Sequence, residues 1–482
     1  MPNYNKRPGR PLKLDVSYSE NQERISPIGT RYTTKMSKIF GEESYIQAIL
    51  DVEAENVKVL SEMYPAKVPK SAARRIKAIA DTKHVRPADV RKVEAEKTHH
   101  ELAAVINVMA ASAGKDGRYV HFGMTSADAV ETAKAIQIRK AMDILIKSAA
   151  CTMDACFKAA LSWKDIPSIT RTHGQHAIPA SFGLPFAFFG YCLHKNIERL
   201  RYDREKCIEG KLSGAIGTYD VHVNEGMDGP KVEGKVLGNL KVKKAEISMQ
   251  TPPRESIAYI ISDLAALCGR LAAIASYIKT LKRTEILELT EAPDNQSIGS
   301  SAMPHKNMHG NPFIEERCIS IGRILRGHAM SSLESMSVED FRDLTASLSD
   351  RISIPESFIL SDYSCALIKN IIERVSIVPE NIEGNLNRTK GTASSQLVMS
   401  RLIEKGMQRH NARELSFNAA ASALRENTSY LESLMADKAI AALIPDDELM
   451  ELCNPWKSMG RSKEVIERIA MKYMNRQPAP CS

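Results

Sequence analysis

One stretch of the chain carries an unusually long apolar pattern in alternating steps of three and four. Within residues 254–291 the repeating positions are Ile257, Ile260, Leu264, Leu267, Leu271, Ile274, Ile278 and Leu281. This heptad-like spacing predicts one helix over the whole stretch, about 38 residues and roughly 57 Å long. Short neighbours cannot cover so long an apolar face. The pattern therefore favours a bundle of several long helices, shared between subunits.

Further helical patterns lie on both sides of this stretch. Residues 126–164 contain neither glycine nor proline and predict a second long helix. The remaining helices are expected at residues 45–63, 71–81, 87–113, 179–209, 313–336, 352–375 and, in shorter pieces, after 379. Residues 210–251 are irregular and are expected to hold a short hairpin. The prediction is an all-α fold with a long central helical bundle between two smaller helical domains.

We place the domain boundaries where the helical pattern changes. Residues 1–24 form a flexible basic tail, residues 25–118 an N-terminal helical domain, residues 119–375 the central bundle, and residues 376–482 a small C-terminal helical domain. Lys6 to Pro11 faintly resembles a minor-groove-binding AT-hook, but a single short copy favours a solvated tail.

Composition adds little that is specific. The chain has 482 residues, of which 43% are hydrophobic and 26% charged, as in a soluble globular protein. The net charge of +8 suits an anionic small substrate or weak nucleic-acid contact and does not separate them. Nine cysteines without a CxxC pair predict reduced thiols. A polar N-terminus without an apolar segment predicts no signal peptide, so we expect a cytoplasmic protein.

The most unusual loop lies at residues 290–312, between two predicted long helices. It contains GSSAMPHK at residues 299–306, and the glycines, prolines and serines of the loop cannot continue either helix. Loops of about twenty residues between helices are usually functional or disordered. The two serines, His305 and Lys306 supply candidates for a base, an acid and an anion-binding group.

Three other polar segments carry candidate chemistry. His99 and His100 fall in the predicted helix 87–113, about 100° apart, so they are not a chelating pair; a polar surface or a helix cap remains possible. Thr125 or Ser126 is expected to cap the long helix that follows, where an anion could bind. His173 and His176 flank Gly174 in a loop without a nearby carboxylate or cysteine, so no metal is expected.

Three separated blocks, HFGMTSAD (121–128), RTHGQHA (171–177) and GSSAMPHK (299–306), resemble the fumarase/aspartase superfamily, and within it most the adenylosuccinate lyases. The resemblance covers the chain from about residue 26 to at least residue 351. The segments SGAIGTY and QTPPR agree with it. The carboxymuconate cycloisomerase branch shares much of this pattern and stays an alternative, as does a non-enzymatic helical scaffold of the lens-crystallin kind.

The resemblance implies elimination of fumarate from a succinylated amine, without a cofactor or a metal. It makes Ser300 the base, with Ser301 as the alternative, and Lys306 the stabiliser of the developing negative charge. His173 is the implied acid, and His100 is implied to support it or to bind phosphate. Glu101 stands where the family usually has Asp. The implied substrate-binding residues are Arg31, Tyr32, His99, Glu101, Thr125, Ser126, Thr172, Gln250, Ser301, Asn311, Arg317, Arg342, Ser347 and Arg351.

The resemblance also implies a homotetramer whose active sites are shared between subunits, with nucleotide substrates and neither a membrane nor a nucleic acid as partner. One departure stands out. After Lys306 the family usually has one residue before Asn-Pro, whereas four residues, 307–310, precede Asn311 here. We expect the extra residues around Met308 to Gly310 to affect how the loop closes or which substrate it accepts.

Overall fold

Long helices dominate the computed structural model, which describes residues 28, 31–291, 302–303, 305–306 and 310–474. The N-terminal helices are α1 (Glu42–Met63), α2 (Lys70–Ile79), α3 (Pro87–Val93) and α4 (Glu101–Ala113). The central helices are α5 (Ser126–Ser162), α6 (Leu184–Lys206), α7 (Asp220–Asn224), α8 (Gly229–Leu240), α9 (Glu255–Leu281), α10 (Phe313–Glu334) and α11 (Thr345–Arg374). The C-terminal helices are α12 (Pro379–Asn387), α13 (Ser395–Glu404), α14 (Arg409–Glu426), α15 (Tyr430–Ala436), α16 (Lys438–Ala441), α17 (Asp446–Leu452) and α18 (Ser462–Met474).

Strands are few and short. β1 (Pro167–Thr172) and β2 (Gln175–Ser181) form an antiparallel hairpin. β3 (Glu209–Gly210) pairs with β4 (Lys243–Lys244) in parallel, and β5 (Leu289–Glu291) pairs with β6 (Val375–Ile377) antiparallel. The predicted all-α class is confirmed, because helices dominate the described residues and the strands there are short.

The direction of the central helices follows from their side-chain contacts. Lys134 contacts Asp350 and Thr152 contacts Cys365, so α5 and α11 run the same way. The N-cap residue of α9, Arg254, also pairs with Asp350. The N-terminal ends of α5, α9 and α11 therefore meet at one end of the bundle, which is where the candidate site lies.

The predicted long apolar helix is shorter than expected. α9 ends at Leu281, so it has 27 residues and is about 40 Å long rather than 57 Å. Leu287 takes a left-handed backbone conformation (φ 40°), and Glu288 N–H bonds back to the Leu281 carbonyl, after which the chain enters β5. By length and composition α9 could cross a membrane, but half of its most apolar window is buried within the chain, as in the core helix of a soluble protein.

Three other expectations need correction. The predicted helix 87–113 is broken, because a π-helical turn (Glu94–Thr98) leads into His99 with φ 47° and a new helix starts at Glu101. The helix expected from residue 179 begins at Leu184, since residues 175–181 form β2. Residues 210–251 hold α7 and α8 instead of a hairpin, and β4 pairs in parallel.

Two hydrophobic clusters organise the packing. The larger one extends from Met36 to Ala470 and joins the N-terminal helices, the central bundle and α18. The smaller one extends from Val398 to Leu449, within the C-terminal helices. The domain boundaries at residues 24, 118 and 375 stay a prediction.

Candidate active site

A cavity of about 880 Å³ lies where the N-terminal ends of the central helices meet. Its walls come from segments that are far apart in the sequence, between residue 40 and residue 355. It brings together seven of the residues expected to bind substrate or to take part in the chemistry, namely His99, His100, Glu101, Ser126, Arg342, Ser347 and Arg351.

Four helices begin at the cavity wall. The lining includes His100, Ser126, Arg254 and Leu344, which are the N-cap or first residues of α4, α5, α9 and α11. Each helix start carries partial positive charge and backbone N–H groups without an intrahelical partner. Together with the arginines of the wall, these starts make the cavity suitable for an anionic ligand.

The start of α5 is fixed by a fully buried ion pair. Thr125 is the N-cap, and its N–H donates to Asp128 Oδ2 at 2.8 Å in a capping box. Lys211 Nζ donates to Asp128 Oδ1 at 2.6 Å, and both side chains are completely buried. Backbone N–H groups of Ser213 and Gly214 also reach the carboxylate. This network holds the first turn of α5, and therefore Ser126, in the cavity wall.

The two adjacent histidines sit at a break between helices. His99 adopts a left-handed conformation directly after the π-helical turn, a local strain of the kind often found at functional sites. His100 caps α4, since its Nδ1 accepts from the Ala103 N–H at 3.3 Å. The helix-cap alternative for His100 is therefore correct, and both side chains line the cavity.

A buried charged network forms another part of the wall. Lys134 Nζ bonds to Glu131 and to Asp350 at 2.9 Å, and Arg254 bonds to Asp350 at 2.5 Å. Burial favours the neutral form of Asp350, but the charges of Lys134 and Arg254 offset this and hold its pKa below the usual value. None of the four network residues was predicted from the sequence as a site residue, although Arg254 ends the QTPPR segment. They are Glu131, Lys134, Arg254 and Asp350.

His121 is a further candidate that sequence reasoning missed. The buried Glu53 accepts from the His121 backbone N–H at 2.8 Å and contacts its Nδ1 at 2.7 Å, while His121 has φ 62°. Burial lowers the pKa of His121, but the hydrogen bond to Glu53 and its charge outweigh this, so the pKa is raised. The available signal was its place at the start of HFGMTSAD; its pairing with residue 53 is long-range.

The expected acid lies elsewhere. Thr172 and His173 are exposed at the tip of the β1–β2 hairpin, where His173 has φ 52°. Arg171 anchors the hairpin through both oxygens of the buried Glu288, at 2.6 and 3.2 Å. The hairpin follows the C-terminal end of α5, so about 55 Å of helix separates it from Ser126.

A third group of expected residues lies beside α11. Arg317 Nη1 donates to Tyr363 Oη at 2.8 Å, and its guanidinium lies 5.4 Å from the centre of the Tyr32 ring. Arg31 directly precedes Tyr32, in a turn, and is exposed. Gln250 bonds through its backbone to Phe341, and its neighbour Thr251 lines the cavity.

Ser300 and Ser301 lie outside the described residues. Lys306 is exposed, and its N–H bonds to the Met303 carbonyl. Gly310, at the end of the apparent insertion, has φ +71° and lies close to Glu291. Lys282 Nζ bonds to Glu291 at 2.6 Å and to Glu315 at 3.0 Å. It therefore links the residue that precedes the loop, Glu291, to the first turn of α10. Asn311 is half-buried just before α10.

A family model described as "Lyase" matches residues 29–323, and a second, described as "Adenylosuccinate lyase C-terminus", matches residues 391–469. Curated relatives named adenylosuccinate lyase agree. That of Pyrococcus abyssi is 33% identical over 446 residues, 92% of this chain and 97% of the relative. The chain belongs to the adenylosuccinate lyase family. The relative of Archaeoglobus fulgidus is 32% identical over 94% of this chain and 99% of its own length, and that of Aquifex aeolicus is 31% identical over 91% and 98%.

Solved structures confirm the superfamily fold for this adenylosuccinate lyase family member. A fumarate lyase from Mesorhizobium sp. aligns with a TM-score of 0.82 at 23% identity, covering 91% of this chain and 98% of that one. A 3-carboxy-cis,cis-muconate lactonizing enzyme from Pseudomonas putida aligns with a TM-score of 0.80, also at 23% identity, covering 92% and 97%. At such identities the likeness shows the fold alone. The C–N lyase family predicted from the sequence is thus confirmed by the curated relatives.

Proposed function

We propose that this family member eliminates fumarate from adenylosuccinate, giving AMP, and from succinylaminoimidazole carboxamide ribotide, giving AICAR, in purine biosynthesis. The observation that carries the proposal is the cavity, where four helix starts and two arginines expected to bind substrate meet the histidine pair. Both substrates carry a phosphate and two carboxylates, and a cavity lined in this way favours such anions.

In the proposed reaction, a base removes a proton from the carbon beside a carboxylate, which leaves a carbanion with high negative charge. Ser300 is the proposed base, with Ser301 as the alternative, and Lys306 stabilises the developing charge. His173 then donates a proton to the leaving nitrogen, and fumarate separates from the amine. His100 supports the acid or binds phosphate. No metal and no cofactor is part of the proposal.

Substrate binding is assigned to residues from all three groups. Arg342, Ser347 and Arg351 lie on adjacent turns around the start of α11, where they suit a phosphate or carboxylate. The remaining proposed contacts are Arg31, Tyr32, His99, Glu101, Thr125, Ser126, Thr172, Gln250, Ser301, Asn311 and Arg317. The residues between Lys306 and Asn311 are proposed to tune loop closure.

The separation of these groups in one chain supports a homotetramer with shared active sites. A general acid exposed to water and far from the substrate cavity needs a second chain to complete its site. Large apolar side chains are exposed on the bundle helices, including Phe188 (56%) on α6, Tyr259 (50%) on α9 and Met330 (62%) on α10. Such residues suit contacts between the helices of neighbouring subunits.

Incubation of the purified full-length protein with adenylosuccinate tests the proposal. We expect the absorbance to change as AMP and fumarate appear in equal amounts, with the products identified by chromatography. Absence of turnover of both purine substrates, together with turnover of 3-carboxymuconate, would instead favour the cycloisomerase branch. The cytoplasm is the proposed location, with neither a membrane nor a nucleic acid as partner.

A further inference from the structure

Arg351, one of the proposed anion-binding arginines, is paired with a carboxylate of the same chain. Its Nη2 donates to Glu101 Oε2 at 2.7 Å. The Arg351 side chain is 56% exposed and that of Glu101 is 29% exposed, and both line the cavity. The contact joins the first residue of α4 to the second turn of α11, 250 residues apart in the sequence.

Tyr45 lies beside Glu101 in the cavity wall. It is on α1, is half-buried and lines the same cavity. Burial and then the negative charge of Glu101 raise the pKa of Tyr45, so the phenol stays protonated. Tyr45, Glu101 and Arg351 therefore lie together in one wall of the cavity.

The contact with Glu101 leaves most of the Arg351 guanidinium available. An arginine has five N–H donors in a rigid plane, and Glu101 is bonded to one nitrogen of Arg351. Lys134 and Arg254 are engaged in the buried network, and Arg91 is paired with Glu42. Within the described part of the chain, Arg342 makes no ion pair. Arg351 and Arg342 therefore remain the arginines of the wall best placed to bind an anion.

We propose that Glu101 is a positioning residue that orients the guanidinium of Arg351 toward a phosphate or carboxylate oxyanion of the substrate. This revises the expectation that Glu101 contacts the substrate, and it rests on the proposed function only for the identity of that substrate. The length of the Glu101 side chain lets its carboxylate reach Arg351 from the first position of α4.

Two substitutions of Glu101 separate the effect of its side-chain length from the effect of its charge. Glu101→Asp keeps the charge and shortens the side chain, whereas Glu101→Gln keeps the length and an acceptor oxygen. If Glu101 positions Arg351, Glu101→Asp raises the KM for adenylosuccinate by about tenfold, as for the loss of one hydrogen bond to a charged group. Glu101→Gln raises it by about threefold. The kcat and the thermal midpoint stay near those of the wild type.

Glu255→Asp is the matched control, because Glu255 is also the first residue of a helix, is exposed and lies outside the cavity lining. It should leave KM unchanged. Calorimetric titration of the wild-type tetramer and of Glu101→Asp with AMP and with fumarate provides a readout that does not need turnover. A weaker affinity for AMP alone places the phosphate on Arg351, and a weaker affinity for fumarate places a carboxylate there.

Unchanged affinity of Glu101→Asp for both AMP and fumarate overturns the inference. So does a KM for Glu101→Asp that is closer to the wild-type value than that of Glu101→Gln, since charge would then matter more than reach. Lack of turnover by the wild type, with AMP binding retained and weakened in Glu101→Asp, refutes the proposed reaction and leaves the positioning role standing.

Discussion

The two ends of α5 differ in how their candidate groups are held. At the N-terminal end, Ser126 lies in a formed cavity whose wall contains a buried network of carboxylates, a lysine and an arginine. At the C-terminal end, His173 is exposed on a hairpin tip whose anchor, the Arg171–Glu288 pair, lies two residues away. We propose that one end binds an anion and that the other supplies the proton donor.

Under the proposed mechanism, neither end is an active site by itself. An anion cavity without an acid cannot protonate a leaving nitrogen, and an acid in open water has no bound substrate to protonate. About 55 Å of helix keeps the two ends apart within one chain. Assembly of several chains, in which α5 of one subunit runs beside that of another, can bring opposite ends together.

Removal of the acid should have the largest effect on activity. His173→Ala is expected to lower kcat for adenylosuccinate by about 10²–10⁴-fold, the range for general acid catalysis. The thermal midpoint should not move, because the side chain is exposed. His410→Ala removes another exposed histidine, on α14, and is the control that should keep full activity. A kcat for His173→Ala near that of the wild type would remove the hairpin from the mechanism.

Breaking the buried pair at the other end should chiefly affect stability. Lys211→Met leaves the fully buried Asp128 without its charged partner, and the free energy of unfolding should fall by about 3–5 kcal/mol. Lys243→Met, which breaks a partly exposed pair with Glu209, should cost only about 0–1 kcal/mol. Denaturant titration of both variants checks this. Equal losses would show that the start of α5 is not fixed as described.

The smallest expected effect is on the pH dependence of stability, to which His121 and His176 contribute in opposite directions. The pKa of His121 is raised by Glu53 despite burial, whereas burial and the nearby Arg171 and Arg388 lower the pKa of His176. His121 therefore adds stability that is present below about pH 6.5 and is lost as the pH rises through its folded-state pKa. His176 adds stability that is present above about pH 6.5 and is lost as the pH falls through its folded-state pKa.

NMR titration of the histidine ring protons measures both values. Glu53→Gln should shift the His121 transition to lower pH and leave that of His176 in place. A His121 transition below that of His176 in the wild type would contradict the described pairing with Glu53.

Local patterns in the sequence predicted much of the fold. The heptad spacing around Leu264 and the run without glycine after Ser126 predicted long helices, because periodic burial is a local property. The break at His99 and the end of α9 at Leu281 were missed. Both depend on backbone conformations, a left-handed residue and a π-helical turn, that a continuous apolar pattern does not reveal.

The site was predictable only through short motifs. Ser126, Arg342 and Arg351 came from the family resemblance, and the fold brings them to one cavity. Glu53, Lys134 and Asp350 were missed, because a buried charge is identified by a partner far away in the chain. The pairing of Glu101 with Arg351 was likewise not predictable from the sequence, since it depends on a contact between α4 and α11.

Complementation between inactive variants tests the shared site most directly. His173→Ala and Arg342→Ala alter groups at opposite ends of α5, and each variant alone should have little activity. If each active site takes its acid and its anion cavity from different subunits, mixed tetramers contain some sites with neither substitution. We predict that dissociation, mixing and reassembly of the two variants restores a measurable part of the wild-type kcat. Verified mixed tetramers that stay as inactive as the parent variants would contradict a site shared between subunits.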